Sequence, residues 1–173
     1  MTTHPSDALP LPGGGKLIFT PCPGTKGVGL AESVEQLRQA GADAVISMTP
    51  SDELARLDVA ALPEAITEAG MRWFQFPVED DAAPGPAFEQ TWAANRDAVI
   101  ALLSRRGGIA IHCRGGSGRT GFMAALILRE LGVDAARADA LVKGLRPNAL
   151  TLSVHTDYLA ARDGQHHEQE QSQ

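Results

Sequence analysis

The stretch that most constrains this chain is residues 109–131. An apolar triplet, Ile109-Ala110-Ile111, runs into His112-Cys113-Arg114-Gly115-Gly116-Ser117-Gly118-Arg119-Thr120, and an apolar run then continues to a stop at Gly132. A short, uniformly apolar segment of this kind reads as a strand buried on both faces, and the run after residue 120 reads as a core helix. Glycines between them let the backbone approach a ligand and take dihedrals closed to other residues. Backbone N–H groups of such a turn can converge on one point as an anion nest, and the following helix adds its positive end.

The flanking sequence repeats the same alternation. Strands are expected at 16–20, 44–48 and 71–78, with helices at 31–40, from Pro50 through Leu57, and at 62–69, 87–105 and 120–131. Asp134 can cap a further helix reaching Gly144, and a last helix is expected at 151–162. Strands alternating with helices indicate an α/β domain, with a central, mainly parallel sheet flanked by helices. Residues 16–162 are expected to form a single domain. Pro5, Pro10, Pro12 and the run Gly13-Gly14-Gly15 make residues 1–15 read as a flexible lead-in. The Gln/Glu-rich residues 163–173 read as a disordered tail. Adjacent histidines there, His166 and His167, lack the spacing and cysteine partners of a structural zinc site, so no metal is expected.

Composition excludes several classes of function. The 173 residues carry 15 basic and 21 acidic side chains, a net charge of −6. That balance argues against non-specific nucleic-acid binding. No run approaches the ~20 apolar residues that span a bilayer, so no membrane partner is expected. Cys22 and Cys113 are too few for a disulfide framework. With no visible signal segment, a reducing cytoplasm is the expected setting.

The loop residues have specific chemical uses. Thiols beside arginine at a helix N-terminus are those that ionise near neutral pH, which makes Cys113 a candidate nucleophile. The planar fork of Arg119 can hold two oxygens of a phosphoryl group and stabilise charge on it during transfer. Arg114, Gly115, Gly116, Ser117 and Gly118 supply the rest of the cradle. Thr120 offers a hydroxyl near the sulfur, suited to assisting its departure. The Gly-Lys-Ser/Thr ending of a nucleotide-binding loop is missing, and so is the Gly-x-Gly-x-x-Gly pattern of a dinucleotide turn.

Residues 112–120 match the His-Cys-x5-Arg-Ser/Thr signature, and on them the chain resembles the protein tyrosine phosphatase superfamily. The Pro23-Gly24 loop, the helix stop at Gly41, the strand at 44–48 and the Asp80 loop fall in the order seen in dual-specificity phosphatases of the cyclin-dependent-kinase-associated type. The resemblance covers roughly residues 16–162. It implies the cysteine-phosphatase fold, a phosphocysteine intermediate, a phosphorylated protein or peptide as substrate, and neither cofactor nor metal. By the same resemblance Cys113 is the nucleophile, Arg119 the phosphate binder, and His112 a support behind the loop that favours the ionised thiol.

A leaving alkoxide or phenoxide needs a proton, and a positioned carboxylic acid supplying it is worth about 10²–10⁴-fold. Glu79, Asp80 and Asp81 are the candidates. The family's spacing of Asp to Pro four residues on selects Asp80, with Pro84; Asp81 is the alternative. Many relatives carry a water-orienting Gln on the helix following the catalytic one. His155 stands at that register, to hold a water or simply to pack, and Asn148 is a second candidate. Two alternatives share the loop: a phosphoinositide phosphatase, and a phosphate-binding module without turnover. A thiol reductase would need Cys22 as its resolving cysteine.

Overall fold

The computed structural model describes residues 3–171. In chain order the elements are β1 (Asp7–Pro10), β2 (Lys16–Thr20), α1 (Leu30–Gln39), β3 (Ala44–Ser47), α2 (Ser51–Arg56), α3 (Leu62–Glu68), β4 (Arg72–Gln75), α4 (Pro86–Ser104), β5 (Gly108–His112), α5 (Gly118–Glu130), α6 (Ala135–Leu145) and α7 (Ser153–Gln171). One five-stranded sheet has the order β1-β2-β5-β3-β4. Four strands are parallel, and β1 alone runs antiparallel, on the edge beside β2. This is the α/β class expected from the sequence, a mainly parallel sheet with helices around it.

The central place of β5 follows from its sequence. Alternate residues face opposite sides of a strand, and β5 is apolar on both. Ile109 and Ile111 join Leu17, Phe19 and Ile46 in the larger core, with residues of α4 and α5. Ala110 joins Ile18 and Val45 in a second core that includes Val34, Leu37, Leu62 and Ile66. Helix α5 is buried from Arg119 through Leu128, so both its polar start and its apolar body lie inside. A Cβ on Gly121 would stand 2.4 Å from the Ala149 Cβ, and only glycine permits that packing.

The register places the site. Thr20 of β2 and Ser47 of β3 are both paired with His112 of β5, so three parallel strands end side by side. Ligand sites of open α/β sheets form outside such carboxyl ends. Beyond β4, Phe76 and Val78 still donate N–H bonds to Ser47 (3.0 Å) and Met48 (2.9 Å), which carries Glu79 and Asp80 to the same edge.

Two expectations about the chain ends are corrected. Residues 3–15 are not a loose lead-in. β1 pairs with β2 from Asp7↔Phe19 to Pro10↔Lys16, and Leu9 and Leu11 are buried in the larger core. Proline is tolerated there because β1 is an edge strand. At the other end α7 continues to Gln171 rather than fraying from residue 163. Asp163 accepts from Arg129 at 2.9 Å, which ties that turn to α5. The side chains of His166 and His167 lie outside the described residues. No helix among the described residues is long and apolar enough to cross a membrane.

The first strand is open to a direct test. Leu9→Ala is expected to lower the unfolding free energy by about 2 kcal/mol or more in urea denaturation. An unchanged midpoint would mean that the segment is detached in solution.

Candidate active site

The loop between β5 and α5 closes around the Cys113 sulfur. The Gly116 N–H donates to Sγ at 3.3 Å and the Thr120 hydroxyl donates at 3.2 Å. Gly116 has φ +83°, and a Cβ there would lie 2.6–2.7 Å from the Thr20 and Pro21 backbone. Glycine is therefore required twice at this residue, for its dihedral and for the close approach of the β2 end. Arg146, just past α6, secures the same turn from outside. Its Nε donates to the Gly116 carbonyl at 2.9 Å and its Nη1 to Asp7 at 2.9 Å. Among the described residues, the N–H groups of Gly115, Ser117, Gly118 and Arg119 donate no hydrogen bond within the protein. Arg114 and Gly115 form the exposed rim.

Arg119 is nearly out of solvent, and three of its five guanidinium N–H groups are engaged within the protein. Nη1 and Nη2 each donate to one oxygen of Glu53 at 2.9 Å, and Nη1 also donates to the Val78 carbonyl at 2.9 Å. Burial works against the charge on Arg119. Glu53, Cys113 and Asp80 outweigh it and hold the guanidinium above its ordinary value. Glu53 itself is only 6% exposed. Sequence reasoning missed it, because Ser51-Asp52-Glu53 reads as an ordinary acidic helix start. A carboxylate turned inward from that start is recognisable only when its cationic partner is seen.

His112 lies behind the loop and contacts the main chain of Cys113 rather than its sulfur. Nδ1 is 2.9 Å from the Cys113 carbonyl, and Nε2 is 2.5 Å from the Ser47 hydroxyl. The Trp73 indole donates to that hydroxyl at 2.9 Å. One proton arrangement satisfies every partner. Trp73 donates to Ser47, Ser47 to Nε2, and the Nδ1–H to the carbonyl. The ring is then neutral. Burial pushes it down to about 4, against the pull of the Cys113 carbonyl and with the help of Arg119 and His4.

Of the three acids, Asp80 comes to the site: Oδ1 is 3.6 Å from Arg119 Nη2, while the carboxylate stays 61% exposed. Glu79 and Asp81 are exposed beside it, and Asp81 takes a left-handed φ of 61°. His155 is drawn in from α7. It is 1% exposed and stacks on Phe122 with centroids 5.1 Å apart. Neither ring nitrogen has a hydrogen-bond partner. Burial lowers its proton affinity and Arg119 adds to this, while the Ala82 main chain, Asp81 and Asp80 pull the other way. Asn148, by contrast, is exposed on the turn between α6 and α7.

Cys22 is buried at the end of β2, and its N–H donates to the Arg114 carbonyl at 3.0 Å. Both cysteines are free. Burial pushes the Cys22 thiol up to about 12, with Glu53 and Cys113 adding to the effect. It is therefore a protonated thiol at neutral pH. Among the described residues no three His, Cys, Asp or Glu side chains come together to hold a metal ion.

The model of the family described as "polymorphic toxin system, DSP-PTPase phosphatase" matches residues 24–132. No curated protein matches the chain in sequence. Several solved structures share its fold. Kinase associated phosphatase, in a form whose catalytic-site cysteine is replaced by serine, superposes with a TM-score of 0.80 at 20% identity, over 95% of this chain and 97% of that one. Tk-PTP in its active form gives 0.66 at 22% identity, over 85% and 90%. Human DUSP28 gives 0.59 at 22% identity, over 92% and 93%.

The buried ring behind the loop makes a prediction about acid stability. His112 is held near 4, below its ordinary 6.5, so in that interval the unfolded chain binds the proton and the folded one does not. Its contribution is complete above about pH 6.5 and is lost as pH falls toward 4, by on the order of 3 kcal/mol. Urea midpoints taken between pH 7 and pH 4.5 are expected to fall more steeply for wild type than for His112→Asn. Parallel curves would show that the ring is protonated in place.

Proposed function

We propose, from the premise that the chain belongs to the DSP-PTPase phosphatase family of polymorphic toxin systems, that Cys113, Arg119 and Asp80 carry its reaction. The chain is a cysteine-based protein phosphatase of the tyrosine or dual-specificity class. The observation that carries the residue assignment is the convergence on one sulfur. Two donors lie within 3.3 Å of Cys113 Sγ, in a loop whose arginine is pinned in place.

In the first step the Cys113 thiolate attacks phosphorus. The bond from phosphorus to the leaving oxygen breaks, and Asp80 gives that oxygen its proton. Phosphocysteine and a free hydroxyl group result. In the second step Asp80, now a carboxylate, takes a proton from water as the water attacks phosphorus. The S–P bond breaks, the Thr120 hydroxyl supports the departing thiolate, and inorganic phosphate leaves. Throughout, the unpaired N–H groups of the loop and Arg119 hold the phosphoryl oxygens, where fixed donors stabilise developing charge. His112 positions Cys113 through its carbonyl. No metal or other cofactor takes part.

His155 is the favoured water-positioning residue, because it is buried near Asp80 and Arg119 with its ring nitrogens unpaired. The exposure of Asn148 supports a lesser part. The substrate is a phosphorylated protein or peptide that meets Arg114 at the rim. Acidic net charge supports the absence of a nucleic-acid partner. The two free cysteines suit a reducing cytoplasm, and the raised thiol of Cys22 supports a structural part rather than a resolving one.

Hydrolysis of para-nitrophenyl phosphate is expected to survive chelator, to be blocked by vanadate and to vanish in Cys113→Ser. Activity retained in that variant would sink the assignment. Glu53→Gln is expected to cut kcat/KM about tenfold or more, since Arg119 loses half of a charge-assisted pair. Asp80→Ala is expected to slow phenyl phosphate far more than nitrophenyl phosphate, which leaves without a proton. A larger effect from Asp81→Ala would transfer the role to that residue.

A further inference from the structure

His155 has two orphaned nitrogens in a buried place, and buried polar atoms without partners call for an explanation. The ring is fixed on one side by its stack on Phe122, which in turn packs on Phe88 and Tyr158. On the other side it faces the loop that carries Asp80. The Ala82 main chain and the carboxylates of Asp80 and Asp81 are near enough to act on its proton. That loop has few restraints of its own. Its one internal backbone bond runs from the Ala82 N–H to the Glu79 carbonyl at 3.1 Å. Asp81 sits in the strained left-handed region, so the loop needs an external hold to stay over the site.

The Ala82 main chain lies near the His155 ring but is not hydrogen-bonded to it in this structure. We infer that His155 is the latch of the acid loop: a small shift of the loop seats one ring N–H on the Ala82 carbonyl and fixes Asp80 over the leaving-group oxygen. The inference rests on the phosphatase reading with Asp80 as acid. A neutral imidazole has one donor and one acceptor. With the donor on Ala82, the acceptor nitrogen remains free for the water of the second step. A single side chain then serves both halves of the reaction, as a positioning residue for Asp80 and a holder of water. Phenylalanine keeps the stack and the volume but has no nitrogen. Glutamine keeps a donor and an acceptor.

The test compares wild type, His155→Phe and His155→Gln by amide hydrogen exchange and by the ratio of kcat/KM for phenyl phosphate to that for nitrophenyl phosphate. In His155→Phe, exchange in residues 79–86 is expected to rise tenfold or more while β5 and α5 stay protected. The phenyl phosphate rate is expected to fall at least tenfold further than the nitrophenyl phosphate rate. His155→Gln should restore most of both. Unchanged exchange in residues 79–86, or equal loss on the two substrates, overturns the latch. Failure of the Asp80 reading shows separately, as an Asp80→Ala variant that keeps its phenyl phosphate rate. Should His155→Phe not fold, ¹⁵N spectra of wild type decide. A single neutral tautomer coupled through its N–H to the Ala82 carbonyl supports the latch, and a ring averaging between tautomers overturns it.

Discussion

The ion pair between Arg119 and Glu53 is the interaction on which the site depends. Two N–H···O bonds of 2.9 Å join the first turn of α5 to α2, and a third from the same guanidinium reaches the Val78 carbonyl. Three segments distant in sequence thereby meet at one head group: the cysteine loop, the helix after β3, and the strand end that leads to Asp80. Burying such a pair adds little net stability. Breaking one costs about 3–5 kcal/mol, because a charge is left without a partner. The pair's value lies in geometry, since it aims a group that would otherwise sweep through many rotamers.

Around that pair the loop is held by close packing on the end of β2 and by polar contacts with Arg146 and His112. Gly116 is pressed against the end of β2, and its carbonyl is taken by Arg146. The carbonyl of Cys113 is taken by His112, which is itself fixed through Ser47 and Trp73. With these carbonyls committed to the protein, several of the loop's N–H groups are left for a ligand. This is preorganisation in the physical sense: donors are fixed before charge develops, so little reorganisation accompanies the reaction.

The centre of this arrangement could be read in the sequence, and its edges could not. β5, the loop and α5 are contiguous, so their apolar pattern and glycine spacing define them locally. Asp80 is legible through its spacing to Pro84, and the fold brings it to within 3.6 Å of Arg119. Glu53 was hidden, because a lone acid at a helix start normally faces water. Its importance comes from a partner 66 residues away. The first strand was hidden by its own prolines and glycines, which suit an edge strand and a tight turn equally well as they suit a loose segment. His155 lay between these cases. Its register pointed to the site, but only its burial without partners distinguishes it from a packing residue.

Membership of the DSP-PTPase phosphatase family, the shared fold and the geometry around one sulfur describe a single account. In the proposed mechanism cysteine takes the phosphoryl group, an arginine fixed by a buried glutamate holds it, and a loop over the site moves the proton. The most direct measurement is acid quench of the enzyme during turnover of an aryl phosphate, followed by mass spectrometry of its peptides. The account predicts phosphate bound to the peptide containing Cys113 and to no other. Turnover that continues while the trapped phosphate lies on a different residue, or while no phosphoenzyme forms at all, would contradict it.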